Sequence, residues 1–220
     1  MFGMSEEQII AWFQQFAYRP DIVFPVIFLA MLAGSFGLPI PEEVVIIAAG
    51  LVCHVGTRPD LYPPPFDGAQ PLNTYFTAFF CFASIMIADY IVFWLGRRYG
   101  GQFLQSRFMA KYEDRMNKVI AWTQKYGPLA AGIFRFTPGL RFPGFFACGM
   151  LKMRPIVFFS VDGFAALISV PTQVILAAFY GDAILAKLQE FKIVVFGILL
   201  VAASIYFYKR YRERHQFDPT

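Results

Sequence analysis

Charged residues are scarce in this chain. Only 15% of its 220 residues are Asp, Glu, Lys or Arg, whereas 57% are hydrophobic and 27 are Phe. Soluble domains carry about 25% charged residues, so an ordinary soluble domain is excluded. The apolar runs are long enough for several spans of about 20 residues each. The composition therefore predicts an all-α polytopic membrane protein.

Cysteine and histidine are also rare. Cys53, Cys81 and Cys148 lie far apart in or beside apolar runs, so we expect reduced packing residues rather than disulfides or metal ligands. A lipid phosphatase needs a His nucleophile and a group to assist it, and an intramembrane serine protease needs a Ser–His pair. The only histidines are His54, beside a loop, and His215, in the tail. We expect no enzyme, cofactor or metal, and interpret His54 as incidental.

Two arginines interrupt an otherwise apolar run, Gly132 to Met150 (GIFRFTPGLRFPGFFACGM). Near a bilayer centre an Arg costs about 2.5–3.5 kcal/mol on insertion scales, so Arg135 and Arg141 need carboxylates, an anion or a polar cavity. The same run holds four residues that break helices: Pro138, Gly139, Pro143 and Gly144. Broken backbone at membrane depth is tolerated only where protein or a polar cavity covers it. The segment therefore predicts a buried polar site.

A second broken segment lies in the other half of the chain. Pro39 and Pro41 interrupt an apolar stretch, and Glu42 and Glu43 follow directly. Paired short, Gly/Pro-interrupted segments in corresponding halves indicate a transporter site. We predict re-entrant helical hairpins at about 37–55 and 129–150, oppositely oriented as an inverted repeat and surrounded by transmembrane helices.

The Lys/Arg distribution predicts the orientation of the chain. Basic residues concentrate in the 97–127 linker and in the tail, and such segments face the cytoplasm. A Pro-rich loop, 56–73, then lies outside. The predicted parts are an amphipathic helix (1–20), a membrane domain (21–208) and a basic cytoplasmic tail (209–220).

Four ionisable residues lie in or beside apolar stretches: Glu43, Asp89, Arg135 and Arg141. One interpretation is mutual neutralisation, although a purely structural role would not need prolines beside the charges. The other is function, because intramembrane ionisable groups mark substrate or proton pathways. Arginine grips phosphate through paired hydrogen bonds, and a buried carboxylate can exchange protons near neutral pH. Asp162 either joins this site or caps a kink near Gly163.

Three segments resemble the DedA family, also known as the SNARE-associated Golgi protein family or VTT domain. They are GLPIPEEV (37–44), the Ala-Asp pair leading into YIVFWLGRRYG (90–100), and FRFTPGLRFPGFFACGMLKM (134–153). The resemblance implies two re-entrant hairpins, dependence on proton motive force and multi-pass location in a bacterial inner membrane. It matches Arg135 and Arg141 to the family's two essential arginines, and Glu43 and Asp89 to its acidic positions.

One position departs from the family pattern. Many members carry a glutamate just before the GLP turn, where this chain has Gly34. Glu42, where the family often has Ser or Gly, is the candidate to replace it.

The resemblance implies a flippase-like transporter of a lipid phosphate, such as undecaprenyl phosphate or a phospholipid, serving the cell envelope. Arg135 and Arg141 would bind phosphate, and Glu43, Asp89 and Glu42 would couple transport to protons. The expected partners are the lipid phosphate, membrane lipids and protons but no nucleic acid, and a homo-oligomer stays open. The main alternative is a proton-coupled antiporter of small cations or drugs, whose carboxylates bind the substrate. A membrane scaffold would leave the charges unexplained.

Overall fold

The described residues form two long apolar helices and five shorter ones. A computed structural model describes residues 13–38, 41–64, 68–104, 113–137 and 140–184. In chain order the helices are α1 (Pro20–Ser35), α2 (Glu42–Gly56), α3 (Thr74–Leu104), α4 (Glu113–Tyr126), α5 (Leu129–Phe136), α6 (Arg141–Met150) and α7 (Pro155–Phe179). Residues 74–102 of α3 and all of α7 are long and apolar enough to cross a bilayer. All regular structure in the described ranges is helical, as predicted.

Some sequence predictions fall outside the described residues. They concern residues 185–208 of the predicted membrane domain, the tail 209–220, residues 1–12 of the predicted N-terminal helix, and three residues at the helix breaks: Pro39, Pro138 and Gly139. Residues 13–17 of that N-terminal segment are helical.

The first break separates α1 from α2, and a glycine sets its geometry. Gly37 has φ of 82°, a left-handed conformation that side chains disfavour. Its N–H donates to the Gly34 carbonyl at 2.9 Å, and the Leu38 N–H donates to the Ala33 carbonyl at 3.2 Å. This pair of hydrogen bonds is a Schellman motif, which ends α1. Pro41 then takes the cap position before α2.

The second break separates α5 from α6 and includes residues 137–140. The sequence pattern also predicts breaks at Pro143 and Gly144, but both residues lie inside the first turn of α6. Proline is tolerated there because the N–H groups of the first turn have no partner within the helix. Gly144 is needed for packing, since a Cβ at this position would overlap the ring of Phe134.

A short helix that follows each break packs against the long helix of the other half of the chain. Helix α2 packs on α7, and α6 packs on α3. On α2, a Cβ at Gly50 would overlap Ala177 and the Val174 carbonyl of α7. Between α3 and α6, Gly96 and Gly149 allow a similarly close approach, because a Cβ on either would overlap a backbone carbonyl of the other helix. Helices α3 and α6 therefore pack closely through these two glycines.

The basic linker predicted at 97–127 is partly packed rather than wholly solvated. Its first residues continue α3, and Arg97 donates from Nη1 to the Met153 carbonyl at 2.8 Å. Met116 and Val119 of α4 are buried in a core with α5 and α6.

Two hydrophobic cores meet where α3 and α7 pass each other. On α3, Ile85 belongs to one core and Val92 to the other. On α7, Ala166 belongs to the same core as Ile85, and Phe158 belongs to the same core as Val92. Large apolar side chains cover the exterior, among them Leu29 (61% exposed), Phe79 (64%) and Phe164 (68%). Such an apolar exterior is typical of a surface that faces lipid.

Candidate functional site

Arg135, near the end of α5, lies between two buried aspartates. Its Nε donates to Asp162 Oδ1 at 2.7 Å, and its Nη2 donates to Asp162 Oδ2 at 2.9 Å and to Asp89 Oδ2 at 2.8 Å. Both aspartates are fully buried in the long helices, and Arg135 is 8% exposed. Planar guanidinium geometry makes the contact with Asp162 bidentate.

Arg141, the first residue of α6, completes the ionic contacts around Asp89. Its Nη2 donates to Asp89 Oδ2 at 2.6 Å, and its Nη1 contacts Glu42 Oε2. The guanidinium carbon lies 5.7 Å from the centre of the Phe145 ring. Its Nε is buried and donates to no group among the described residues. The Nε donor of Arg141 is therefore free among the described residues.

Ser35 joins the two carboxylates that face Arg141. Its hydroxyl lies 3.0 Å from Asp89 Oδ1 and 3.3 Å from Glu42 Oε1. Ser35 ends α1 and Glu42 begins α2, just as Arg135 and Arg141 lie at the ends beside the second break. Both breaks therefore meet at one point, with one aspartate arriving from each long helix. We call Glu42, Asp89, Arg135, Arg141 and Asp162 the arginine cluster.

The arginine cluster is not balanced. Three carboxylates meet two guanidinium groups, so one negative charge is in excess when all are ionised. Removing charges from water costs several kcal/mol per ion unless pairing compensates. An excess charge in a buried site favours a proton or another cation as its partner.

A cavity of about 100 Å³ opens beside the arginine cluster. Apolar side chains form part of its wall, and six polar side chains also line it: Glu42, Glu43, Arg135, Arg141, Ser169 and Gln173. The cavity gives the cluster a place where a small polar ligand can reach both arginines.

The structure brings most of the predicted site residues together. Arg135, Arg141 and Asp89 are in direct contact. Of the two adjacent glutamates, Glu42 makes the ion pair, whereas Glu43 is exposed and lines the cavity without an ion pair among the described residues. Asp162, for which the sequence left two interpretations, is a full member of the cluster.

Three polar residues at or beside the site were not predicted: Ser35, Ser169 and Gln173. Ser35 follows Gly34, the place of the missing family glutamate, and that position is the signal that could have found it. Ser169 and Gln173 are four residues apart in an apolar span and therefore share a helix face with each other.

A second group of charged residues lies at the other end of α2. His54 Nδ1 lies 2.7 Å from the Ala178 carbonyl oxygen, and Nε2 lies 2.9 Å from Asp182 Oδ1. The other carboxylate oxygen of Asp182 is 3.0 Å from Arg58 Nη2. We call His54, Arg58 and Asp182 the histidine cluster. His54 is thus not incidental, because it joins α2 to the end of α7.

The histidine cluster is half exposed. The hydrogen bond from His54 holds the pKa of the Asp182 carboxyl below its ordinary value, and the charges of His54 and Arg58 act in the same direction. His54 itself is buried, and a Cβ at Gly181 would overlap its ring.

Among the described residues, no group of three or more His, Cys, Asp and Glu side chains is arranged to hold a metal ion. The three cysteines are buried and unpaired.

Comparisons with known proteins give the family. The VTT domain model matches residues 40–183. An uncharacterized membrane protein of Haemophilus influenzae is 28% identical over 173 residues, which cover 77% of this chain and 73% of that protein. A Bacillus subtilis membrane protein is 29% identical over 60% of this chain and 75% of its own length. An inner membrane protein of Borreliella burgdorferi is 26% identical over 87% of this chain and 85% of its own length.

No solved structure matches the chain. The family match nevertheless includes both short helices α2 and α6, both long helices and every member of the arginine cluster. The chain belongs to the VTT domain family, the DedA family of membrane proteins.

Proposed function

We propose that this protein translocates the phosphate headgroup of a lipid across a bacterial inner membrane. One observation carries the proposal: buried Arg135 and partly buried Arg141, beside the second helix break, line one cavity, and Arg141 Nε has no partner among the described residues. Arginine forms paired, charge-assisted hydrogen bonds with phosphate. The lipid tail would stay in the bilayer while the headgroup passes the cluster.

The size of the cavity supports a headgroup rather than a whole lipid as the occupant. Pockets that enclose a drug-sized ligand measure about 300–1,000 Å³. The cavity here is about 100 Å³, which suits a single phosphate group. The apolar part of its wall and the apolar exterior of α7 suit the adjoining tail.

The contacts of Arg141 suggest how phosphate would bind. Asp89 and Glu42 occupy its Nη groups, so an arriving phosphate competes with these carboxylates for the guanidinium. The cluster already carries one excess negative charge, and phosphate adds more. In a low-dielectric site this repulsion favours proton uptake by a displaced carboxylate. Coupling to the proton gradient follows from that charge balance.

We further propose that the two helix pairs are re-entrant hairpins related by an inverted repeat. Helices α2 and α6 have 15 and 10 residues, below the roughly 20 needed to span a bilayer. Each packs against the long helix of the other half, as equivalent halves would. The Lys/Arg bias places the linker and the C-terminal tail in the cytoplasm. Relative movement of the halves would then open the cavity to either side.

A proton-coupled antiporter of small cations is the second candidate, because carboxylates outnumber arginines in the cluster. In that case Glu42 and Asp89 bind the substrate, and the arginines only adjust its affinity. Arg141→Glu separates the two functions. It abolishes binding of an anion but leaves or increases binding of a cation.

The test uses purified full-length protein in liposomes that contain labelled undecaprenyl phosphate. Translocation is measured with and without a proton gradient, and protein-free liposomes provide the background. We expect protein-dependent translocation that the gradient accelerates. Cation exchange without lipid translocation would reject the proposal and favour the antiporter.

A further inference from the structure

The polar residues of α7 divide into two sets. The Ser160 hydroxyl donates to the Ile156 carbonyl at 2.8 Å, and the Thr172 hydroxyl donates to the Ile168 carbonyl at 2.5 Å. Both are therefore satisfied inside their own helix. Ser169 and Gln173 line the cavity instead, and neither side chain hydrogen-bonds to another described residue.

Ser169 and Gln173 continue a stripe that begins in the arginine cluster. Asp162, Ser169 and Gln173 are separated by seven and four residues, spacings that place side chains on one helix face. Along the helix axis Ser169 lies about 10 Å beyond Asp162, and Gln173 about 6 Å further. The three side chains define a polar track along one face of α7.

A polar side chain in an apolar helix costs free energy unless it gains a partner. Ser160 and Thr172 show that hydroxyls of this helix can find one in the backbone. The side chains of Ser169 and Gln173 are half-buried, carry donors that have no partner among the described residues, and line the same cavity as the two arginines. These donors are neutral, so they can bind an anion without attracting Glu42 and Glu43 as further arginines would.

We propose that the Ser169 hydroxyl and the Gln173 amide donate hydrogen bonds to a terminal phosphate group held by Arg141. This inference rests on the proposed function and names the substrate class. A terminal phosphate has three free oxygens, enough to accept from the arginines on one side and from α7 on the other. A phosphodiester has only two. The site therefore selects lipids that end in a phosphate monoester.

The test compares Ser169→Ala, Gln173→Leu and the double variant with Ser160→Ala and Thr172→Val, matched controls on the same helix. Binding of undecaprenyl phosphate, phosphatidylglycerol and inorganic phosphate is measured on purified full-length protein in detergent. Unfolding temperatures confirm that each variant is folded. Each site variant should weaken undecaprenyl phosphate binding about tenfold, as expected for one hydrogen bond to a charged group. The diester lipid and the controls should change little.

The outcomes separate this inference from the proposed function. If the wild type binds undecaprenyl phosphate and the double variant binds it equally well, the role of Ser169 and Gln173 is overturned, but the proposed function is not. An equal loss for both lipids would overturn the monoester selectivity. Binding of neither lipid by the wild type would overturn the proposed function, and this inference with it. A parallel loss of inorganic phosphate binding would assign recognition to the phosphate group itself, and a loss confined to the lipid would assign it to the lipid phosphate.

Discussion

The arginine cluster and the histidine cluster are each built from a few charged side chains, but they differ in burial and in balance. In the arginine cluster both aspartates are fully buried, carboxylates are in excess and Arg141 keeps a donor that is free among the described residues. In the histidine cluster the Asp182 side chain is 54% exposed, and its carboxylate contacts both His54 and Arg58.

The difference between the clusters distinguishes a candidate ligand site from a structural contact. His54 and Arg58 satisfy Asp182, and water reaches the remainder, so nothing in the histidine cluster calls for a ligand. In the arginine cluster both aspartates are fully buried, yet the cluster stays incompletely paired. Buried charge that is left unbalanced is costly, and such cost is usually retained for function rather than stability.

Substituting Arg135 should have the largest effect on the comparison. Arg135→Lys keeps the charge but loses the bidentate contact with Asp162, so at least one hydrogen bond to a buried carboxylate is lost. We expect a stability loss of about 1.5–3 kcal/mol, as for one hydrogen bond to a charged group, and transport reduced at least tenfold. Arg141→Lys should lose transport to a similar degree at a smaller stability cost, because Asp89 keeps Arg135.

Unfolding in detergent and lipid transport in liposomes measure the two effects of the arginine variants. Arg98→Lys, on an exposed position of α3, is the control and should leave both unchanged. Full transport by either site variant would show that a bidentate clamp is not required.

Substituting the acids of the arginine cluster tests whether its excess negative charge couples transport to protons. Glu42→Gln and Asp89→Asn keep side-chain shape but fix a neutral state. Each should still bind the lipid phosphate and lose its response to a pH gradient. Glu43→Gln should be milder, because Glu43 makes no ion pair among the described residues. Gradient-driven transport in liposomes is the measurement. A full gradient response in both Glu42→Gln and Asp89→Asn would make these acids structural counter-ions.

The sequence was informative where charge or backbone chemistry is unusual for a membrane. Arg135, Arg141 and Asp89 are conspicuous in apolar runs, and Gly37 and Pro41 mark the first break, whereas Pro143 lies inside α6. The sequence alone does not predict whether Glu42 or Glu43 faces Arg141. Adjacent helical residues point about 100° apart, so the exact start of α2 decides which of them does. Ser169 was missed because a hydroxyl is ordinary in a helix. His54 meets Asp182 only through the packing of α2 on α7.

The smallest expected effect tests the histidine cluster. The folded-state pKa of Asp182 lies below its ordinary value of about 3.8, chiefly because His54 donates to it. A carboxyl with a lowered pKa stabilises the fold above its unfolded pKa, and this contribution is lost as the pH falls through the folded value. Because Asp182 is exposed, the contribution should be about 0.2–1 kcal/mol.

Asp182→Asn should therefore destabilise the protein slightly at neutral pH and remove part of the loss of stability on acidification below about pH 4. Unfolding temperatures of wild type and variant across pH 3–7 measure the difference. Asp60→Asn is the control, since Asp60 makes no ion pair among the described residues. Transport by the variant should match wild type, because no member of the histidine cluster lines the cavity. A transport defect as large as that of Arg141→Lys would show that the histidine cluster is more than a structural contact.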